Sequence, residues 1–394
     1  MSLRPLDGIT VLALEHAVAA PVCTRHLADQ GARVIKIERP LGGDFARGYD
    51  TRVGGQSSYF VWANRSKESL TLDVKHPEAA TLLDGLLDRT DVVVQNLAPG
   101  AAARLGLSFE ALHARYPSLI VCDISGYGDT GPYRDRKAYD LLVQAEAGLV
   151  AATGDGDVMA RAGFSAADVS AGMYAYAGIL NALLLRGRTG QGSRVDVSML
   201  ETLAEWMGNP MYFTHDGQEA APRTGASHPS IAPYGPALAG DGQRLLLGVQ
   251  NDREWQRFCT EVLQEPALAH DVRFANNSAR VQHRAALDEK ITACFANLTA
   301  DQAQARLEAA GIATARVNSP ADLWQHPQLA ARARWTSVNT PAGQVPALLP
   351  PAHNNRYEPR MDAVPALGQH TDTLLAELGC DAARIAALRA AGVV

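Results

Sequence analysis

The stretch GFSAADVSAGMYAYAG, Gly163 to Gly178, sets one carboxylate, Asp168, at the head of a run of small and apolar residues. An aspartate there has two uses. It is a preferred residue at the start of a helix, where free N–H groups stabilise its charge. It can also be a nucleophile, because a carboxylate leading into such a surface can be nearly dehydrated and still ionised. Ser170, Ala171, Gly172, Ala175, Ala177 and Gly178 leave little side-chain bulk. Glycine costs a helix roughly 1 kcal/mol relative to alanine, so this density points to tight helix packing or to a ligand lying against the helix. Arg39 draws notice for a different reason. It follows the strand-like run VIKIE, at the carboxyl end where open α/β sheets bind ligands.

Other chemistries find no support. The cysteines Cys23, Cys122, Cys259, Cys294 and Cys380 are widely spaced and odd in number, which argues against a zinc site or a disulfide framework. There is no GxxxxGK[ST] loop, no HExxH and no Gly-x-Ser-x-Gly elbow, and the glycine spacing of GYGDTG is wrong for a dinucleotide fingerprint. GDGDVM reads as a turn, and a metal-independent reaction is expected. With 36 basic and 42 acidic residues and a formal net charge of -6, no basic surplus exists to hold nucleic acid. The amino terminus shows no apolar signal run, and no stretch of about 20 apolar residues is expected to span a bilayer. A reducing cytoplasm fits these features.

The 394 residues exceed one comfortable core, so two domains are expected. Strand-like ITVLAL, ARVIKIE, SLTLDV, DVVVQN and SLIVCDISGYG alternate with helical segments, the pattern of a layered α/β domain. These strands carry Val, Ile and Leu toward both faces, as in a sheet covered by helices on each side. A loop-rich stretch from Asp216 to Pro236 is a candidate boundary. The expected division is a large domain over 1–225, a smaller α/β domain over 226–325, and a linker and return over 326–394, whose helical tail covers the first domain.

Read in order, several fragments share a source. RPLDGITVLALEHAVAAP, GARVIKIERPLGGDFARG, VVVQNLAPGAAARLG, SGYGDTGPYRDRKAYDLLVQAEAGL, the Asp168 stretch and GRTGQGSRVDVSMLETL make the whole chain resemble the class III coenzyme A transferases. That family includes formyl-CoA transferase and carnitine CoA-transferase. The resemblance implies a Rossmann-like large domain built from both chain ends, in an interlocked homodimer. It implies no tightly bound cofactor; CoA and acyl-CoA are substrates. It also implies double displacement. Asp168 attacks the donor thioester to give a mixed anhydride, and CoA thiolate then converts this to an aspartyl thioester. The acceptor acid finally reclaims CoA. Water would hydrolyse either intermediate, so closure is required, and oxyanions call for backbone donors.

The same resemblance matches His16 and Ala17 to the loop near the CoA thiol. Arg39, Lys75, Arg104 and Lys137 match CoA-contact positions, and Leu72, Asn96 and Leu97 match the adenine and pantetheine path. Val18 stands where formyl-CoA transferase has a glutamine, which argues against formyl-CoA or oxalate. Tyr139, followed by Asp140, stands where the related α-methylacyl-CoA racemases have a histidine. Tyrosine, with a pKa of about 10, is a poor base. A transferase is therefore favoured over a racemase or epimerase, and over a non-catalytic CoA-binding protein. Tyr139 is expected to pack or hydrogen-bond near the acyl group. No glycine run occurs between Thr224 and Gly242, so His228, Ser230 and Tyr234 are candidates to cover the acid. A small dicarboxylic acid, such as succinate, malate, mesaconate, citramalate or itaconate, would need a cation at its distal end. Arg47, Arg52, Arg65 and His228 are candidates for that grip.

Overall fold

The computed structural model describes residues 3–394. Its chain divides into two compact units. The first comprises 1–149, 162–209 and 331–394; the second comprises 150–161 and 210–330. The boundary therefore falls at Pro210, ahead of the loop-rich stretch, because the segment from Pro210 onward makes its contacts within the second unit. A short piece around the GDGDVM turn also belongs to that unit. There Arg223 donates to the carbonyls of Ala151 and Gly156 at 2.8 Å each.

Six parallel strands form the sheet of the first unit. They are β1 (Thr10–Leu14), β2 (Arg33–Glu38), β3 (Lys67–Thr71), β4 (Val92–Gln95), β5 (Ile120–Ser125) and β6 (Arg194–Ser198). Their order is β3-β2-β1-β4-β5-β6, the doubly wound order whose ligand crevice lies beyond the carboxyl ends of β1 and β4. Because successive side chains point to opposite faces, both faces must be buried. Val11 and Ala13 pack with Leu27, Val94, Ala171 and Ile179, whereas Leu12 and Leu14 pack with Ile37, Leu83, Leu86, Leu374 and Leu388.

The last two of those show how the carboxyl-terminal helices Thr371–Glu377 and Ala382–Ala390 close the second face. Thr371 Oγ1 accepts from the Thr71 N–H at 3.0 Å, and the His370 N–H donates to Ser69 O at 3.0 Å. A hairpin of Trp335–Thr340 and Gly343–Leu348 precedes them. In the second unit, Tyr234–Leu238, Arg244–Gly248 and Ala313–Arg316 make a three-stranded antiparallel sheet. Its core includes Trp255, Phe258, Phe274 and Phe295.

The helix headed by Asp168 spans Ala166–Thr189, and its small residues serve packing. It lies on the helix Ala19–Asp29 that follows β1. A Cβ at Gly172 would stand 2.6 Å from Ala19 O, and one at Gly178 would stand 2.7 Å from Val195 Cγ1. Ser170 is fully buried and hydrogen-bonds Thr202 at 3.0 Å. The two helix backbones can approach only because Gly172 has no side chain. Asp168 stands one turn before that contact on the same helix. By length and hydropathy alone this 24-residue helix is long and apolar enough to cross a membrane, contrary to the sequence expectation. Here Ala171, Ala175, Ile179 and Ala182 are instead built into the core of the sheet domain.

Candidate active site

The crevice begins where β1 and β4 end. His16 and Asn96 face each other there. The His16 N–H donates to Asn96 Oδ1 at 3.0 Å, and Asn96 Nδ2 donates to His16 O at 2.9 Å. The Asn96 amide is thus a clamp between two loops, a role that its place on the CoA path did not foretell. On the other side, Gln95 Oε1 accepts from the Leu97 N–H at 2.7 Å and fixes the next residue. The His16 ring packs against Phe45 at a tilt of 53°, with centroids 4.8 Å apart. Burial holds its pKa below the usual histidine value, against the opposing pull of Asp44.

Asp168 sits in the first turn of its helix, but the free N–H groups do not serve its own side chain. Asp140, from the helix Asp140–Glu146, takes them: its Oδ1 accepts from Ala167 N at 2.8 Å and from Asp168 N at 3.2 Å. Gln144 Nε2 holds the other Asp140 oxygen at 2.6 Å. Among the described residues nothing donates a hydrogen bond to the Asp168 carboxylate. Burial first, and the Asp140 charge second, push its carboxyl up to about 7. This corrects the expectation that helix N–H groups hold Asp168 ionised: a second carboxylate has displaced it from them. Asp140 was legible in KAYDLL but had no role assigned, because the helix end it caps lies 27 residues downstream.

Aromatic side chains line the neighbourhood. Tyr49 packs between Phe45, tilted, and Tyr59, edge-on, with ring centroids 5.7 and 5.4 Å away. Burial raises its phenol to about 12, with added repulsion from Asp44, Asp168 and Tyr139. Tyr49 therefore shares the electrostatic surroundings of Asp168 and Tyr139. Tyr139 itself is exposed, just before the helix that carries Asp140. Val18 is buried against Val22 and Ala63. Leu72 is a core residue, so only its backbone can meet a ligand. Leu97 is half-buried at the rim.

The basic residues separate into two groups. Arg39, Lys75, Arg104 and Lys137 are exposed. Arg39 donates to Gly43 O at 3.1 and 3.0 Å, just past the end of β2. Lys137 lines an open groove with Tyr127, Arg136, Leu142 and Glu146. Two of the proposed carboxylate grips are already occupied. Arg47 makes a two-pronged pair with Glu38 at 2.7 and 2.8 Å and lies over the Phe60 ring, and Arg65 makes one with Asp29 at 2.7 and 2.8 Å. Both acids are buried, so withdrawing either arginine would leave an uncompensated charge. Arg47 and Arg65 are therefore structural, which corrects the sequence reading. Arg52 stays exposed.

His228 belongs to the second unit. Its ring stacks on Tyr234 at 5.4 Å, and its Nδ1 accepts from Ser230 N at 3.1 Å, which leaves the ring proton on Nε2. Arg284 grips the carbonyls of His228 and Ile231 at 2.6 and 2.9 Å, so the turn is held from below.

The strand order and its crevice define a doubly wound α/β protein, a class whose ligands bind beyond the carboxyl ends of the strands. The model of CoA-transferase family III matches residues 6–371, and the chain belongs to that family. Succinyl-CoA:glutarate CoA-transferase of Mus musculus is 33% identical over 100% of this chain and 91% of its own. Succinate–glutarate CoA-transferase of Agrobacterium fabrum is 34% identical, covering 95% of this chain and 96% of its own. A crystal structure of a CAIB/BAIF family protein from Brucella suis superposes with a TM-score of 0.85 at 34% identity, over 96% of this chain and 100% of that one.

If Arg39 and Lys137 meet the phosphates of CoA, Arg39→Ala and Lys137→Ala should each raise Kd for CoA by about tenfold, the size of one lost charged hydrogen bond. Calorimetry reads this directly, and unchanged affinity in both variants would remove them from the CoA site.

Proposed function

We propose that the protein moves CoA from an acyl-CoA donor, succinyl-CoA in the first place, to a free small dicarboxylic acid, with Asp168 as covalent carrier. Family membership supports CoA-transferase activity in general. The substrates named for the mouse and Agrobacterium relatives support the dicarboxylic class. The observation that carries the reading is the placement of Asp168: half-buried, at the head of a helix pinned by Gly172 to the helix after β1, with no donor to its carboxylate among the described residues. Such an oxygen is a poorly solvated and therefore reactive nucleophile.

In this mechanism an Asp168 oxygen forms a bond to the donor acyl carbon, and the C–S bond breaks to release CoA thiolate. The thiolate adds to the Asp168 carbonyl carbon, and the donor acid leaves as its carboxylate, giving the aspartyl thioester. The acceptor carboxylate attacks that thioester and displaces CoA thiolate. The thiolate then adds to the acceptor acyl carbon and frees Asp168. Charge and protons balance without an external base. Because Asp140 holds the N–H groups of Ala167 and Asp168, the donors that stabilise the oxyanions come from other elements.

The test is a screen of short dicarboxylic acids against succinyl-CoA by mass spectrometry, with hydroxylamine added during turnover to trap Asp168. Absence of transfer to any acid, or a trap at another residue, would sink the proposal. Exchange of an α-proton in deuterated water would instead indicate a racemase. A pH profile gives an independent check. The nucleophile must be ionised and its carboxyl stands at about 7, so kcat/KM should rise with pH to about 7 and fall about tenfold for each unit below it. A flat profile between pH 5 and 8 would contradict this.

Two further parts of the reading are assembly and place. We propose an interlocked homodimer, whose mass in light scattering should be twice that of the chain, and a cytoplasmic location.

A further inference from the structure

The turn after β1 contains a backbone conformation that its residue disfavours. Ala17 has φ 62°, in the left-handed region that side chains other than glycine rarely adopt. Such conformations persist only where the surroundings over-determine them. Here the determinant is Asp44, which follows two left-handed glycines, Gly42 and Gly43. Asp44 Oδ1 accepts from the Ala17 N–H at 3.0 Å and from Ala46 N at 2.9 Å, and its Oδ2 receives Lys36 Nζ at 2.8 Å. Its own N–H donates to Glu38 Oε2 at 3.0 Å. The next residue, Phe45, carries the His16 ring. One short segment thus holds both the backbone and the aromatic ring of the turn.

We propose that Asp44, anchored by Lys36, is a positioning residue that keeps the His16–Val18 turn shaped for CoA. This rests on the reading that the turn receives the thiol end of CoA.

The cost of building it marks its purpose. Lys36 is completely buried and also reaches Glu15 at 3.3 Å. Glu15 is held in turn by buried Lys67 at 2.7 Å and by Thr24 Oγ1 at 2.6 Å. Replacing such a network by apolar side chains is often neutral or stabilising, so its best-attested use is to impose one geometry. The geometry imposed here is that of the turn. Asn96 clamps His16 from the β4 side and Asp44 clamps Ala17 from the β2 side.

Calorimetry with CoA on the whole protein tests this. Asp44→Ala removes the acceptor and should weaken CoA binding by about tenfold, equivalent to roughly 1.4 kcal/mol. Asp44→Asn keeps an acceptor for Ala17 and should stay within about threefold of the parent, although its melting temperature falls because Lys36 loses the nearer of its two carboxylate partners. Ala17→Gly added to Asp44→Ala should recover at least about threefold, since glycine takes the left-handed backbone without the pin. A purely structural Asp44 would lower the melting temperature without this pattern. Parent-like affinity in folded Asp44→Ala, or no recovery with Ala17→Gly, overturns the proposal. Hydrogen exchange at Ala17 in the parent needs no variant: slow exchange supports the pin, and exchange at open-loop rates overturns it. A parent that does not bind CoA at all defeats the underlying reading of the turn instead.

Discussion

Asp168→Asn should abolish transfer, lowering kcat by at least about a thousandfold, because an amide oxygen cannot form the anhydride. CoA should still bind within about threefold of the parent, since the role proposed for Asp168 is a bond to the acyl carbon and not a hold on the CoA phosphates. The same variant should be more stable than the parent above neutral pH. The sign follows from the raised carboxyl. An unfolded aspartate loses its proton near pH 4, whereas folded Asp168 keeps its proton up to about 7. Between those values the parent loses stability as pH rises, and above about 7 the loss is complete. Asparagine does not titrate. The melting-temperature gain of Asp168→Asn should therefore be smallest near pH 4, grow up to about pH 7 and then level off. Calorimetric scans across that range, with turnover assays on the same samples, give both readings. Near-parental turnover would defeat the chemistry, and a pH-independent difference would defeat the assigned ionisation.

Arg65→Ala should act on stability and spare recognition. Its guanidinium bonds both oxygens of Asp29, and both side chains are buried. Removing one partner of such a pair typically costs about 3–5 kcal/mol. Arg25 remains at 3.5 Å from Asp29, which places the expected loss near the lower end, about 3 kcal/mol. A chemical-denaturation midpoint should fall accordingly, while KM for the acceptor acid in the folded fraction stays at the parental value. The opposite pattern, an intact midpoint with a raised KM, would restore Arg65 as a substrate grip. Arg47 follows the same logic through Glu38. Hydrogen bonds from Arg47 and Ser69 and the charge of Lys36 overcome burial and hold the Glu38 carboxyl down at about 2. A distal carboxylate would therefore have to compete with a buried acid for Arg47. Among the described residues, neither the exposed Arg52 guanidinium nor His228 Nε2 is hydrogen-bonded to a buried acid.

The amino-acid sequence by itself determined the elements. ITVLAL, ARVIKIE and DVVVQN carry apolar side chains on both sides, and a strand of that kind is stable only between two layers of helices. The small residues after Asp168 likewise announced a close approach, either of another helix or of a ligand, and the structure fills it with the helix Ala19–Asp29. The strand order, and with it the crevice at His16 and Asn96, required the assembled sheet.

The roles of the charged side chains were also settled only by tertiary structure. Arg65 meets Asp29 across 36 residues of chain, Asp140 caps a helix 27 residues away, and Ala17 is held by an aspartate 27 residues downstream. Local patterning encodes which side of an element faces the core. An arginine free to meet a substrate and one bound to a buried acid have the same local sequence signal. Electrostatic energy depends on distance and on the water excluded between groups, and both arise only when distant segments fold against each other.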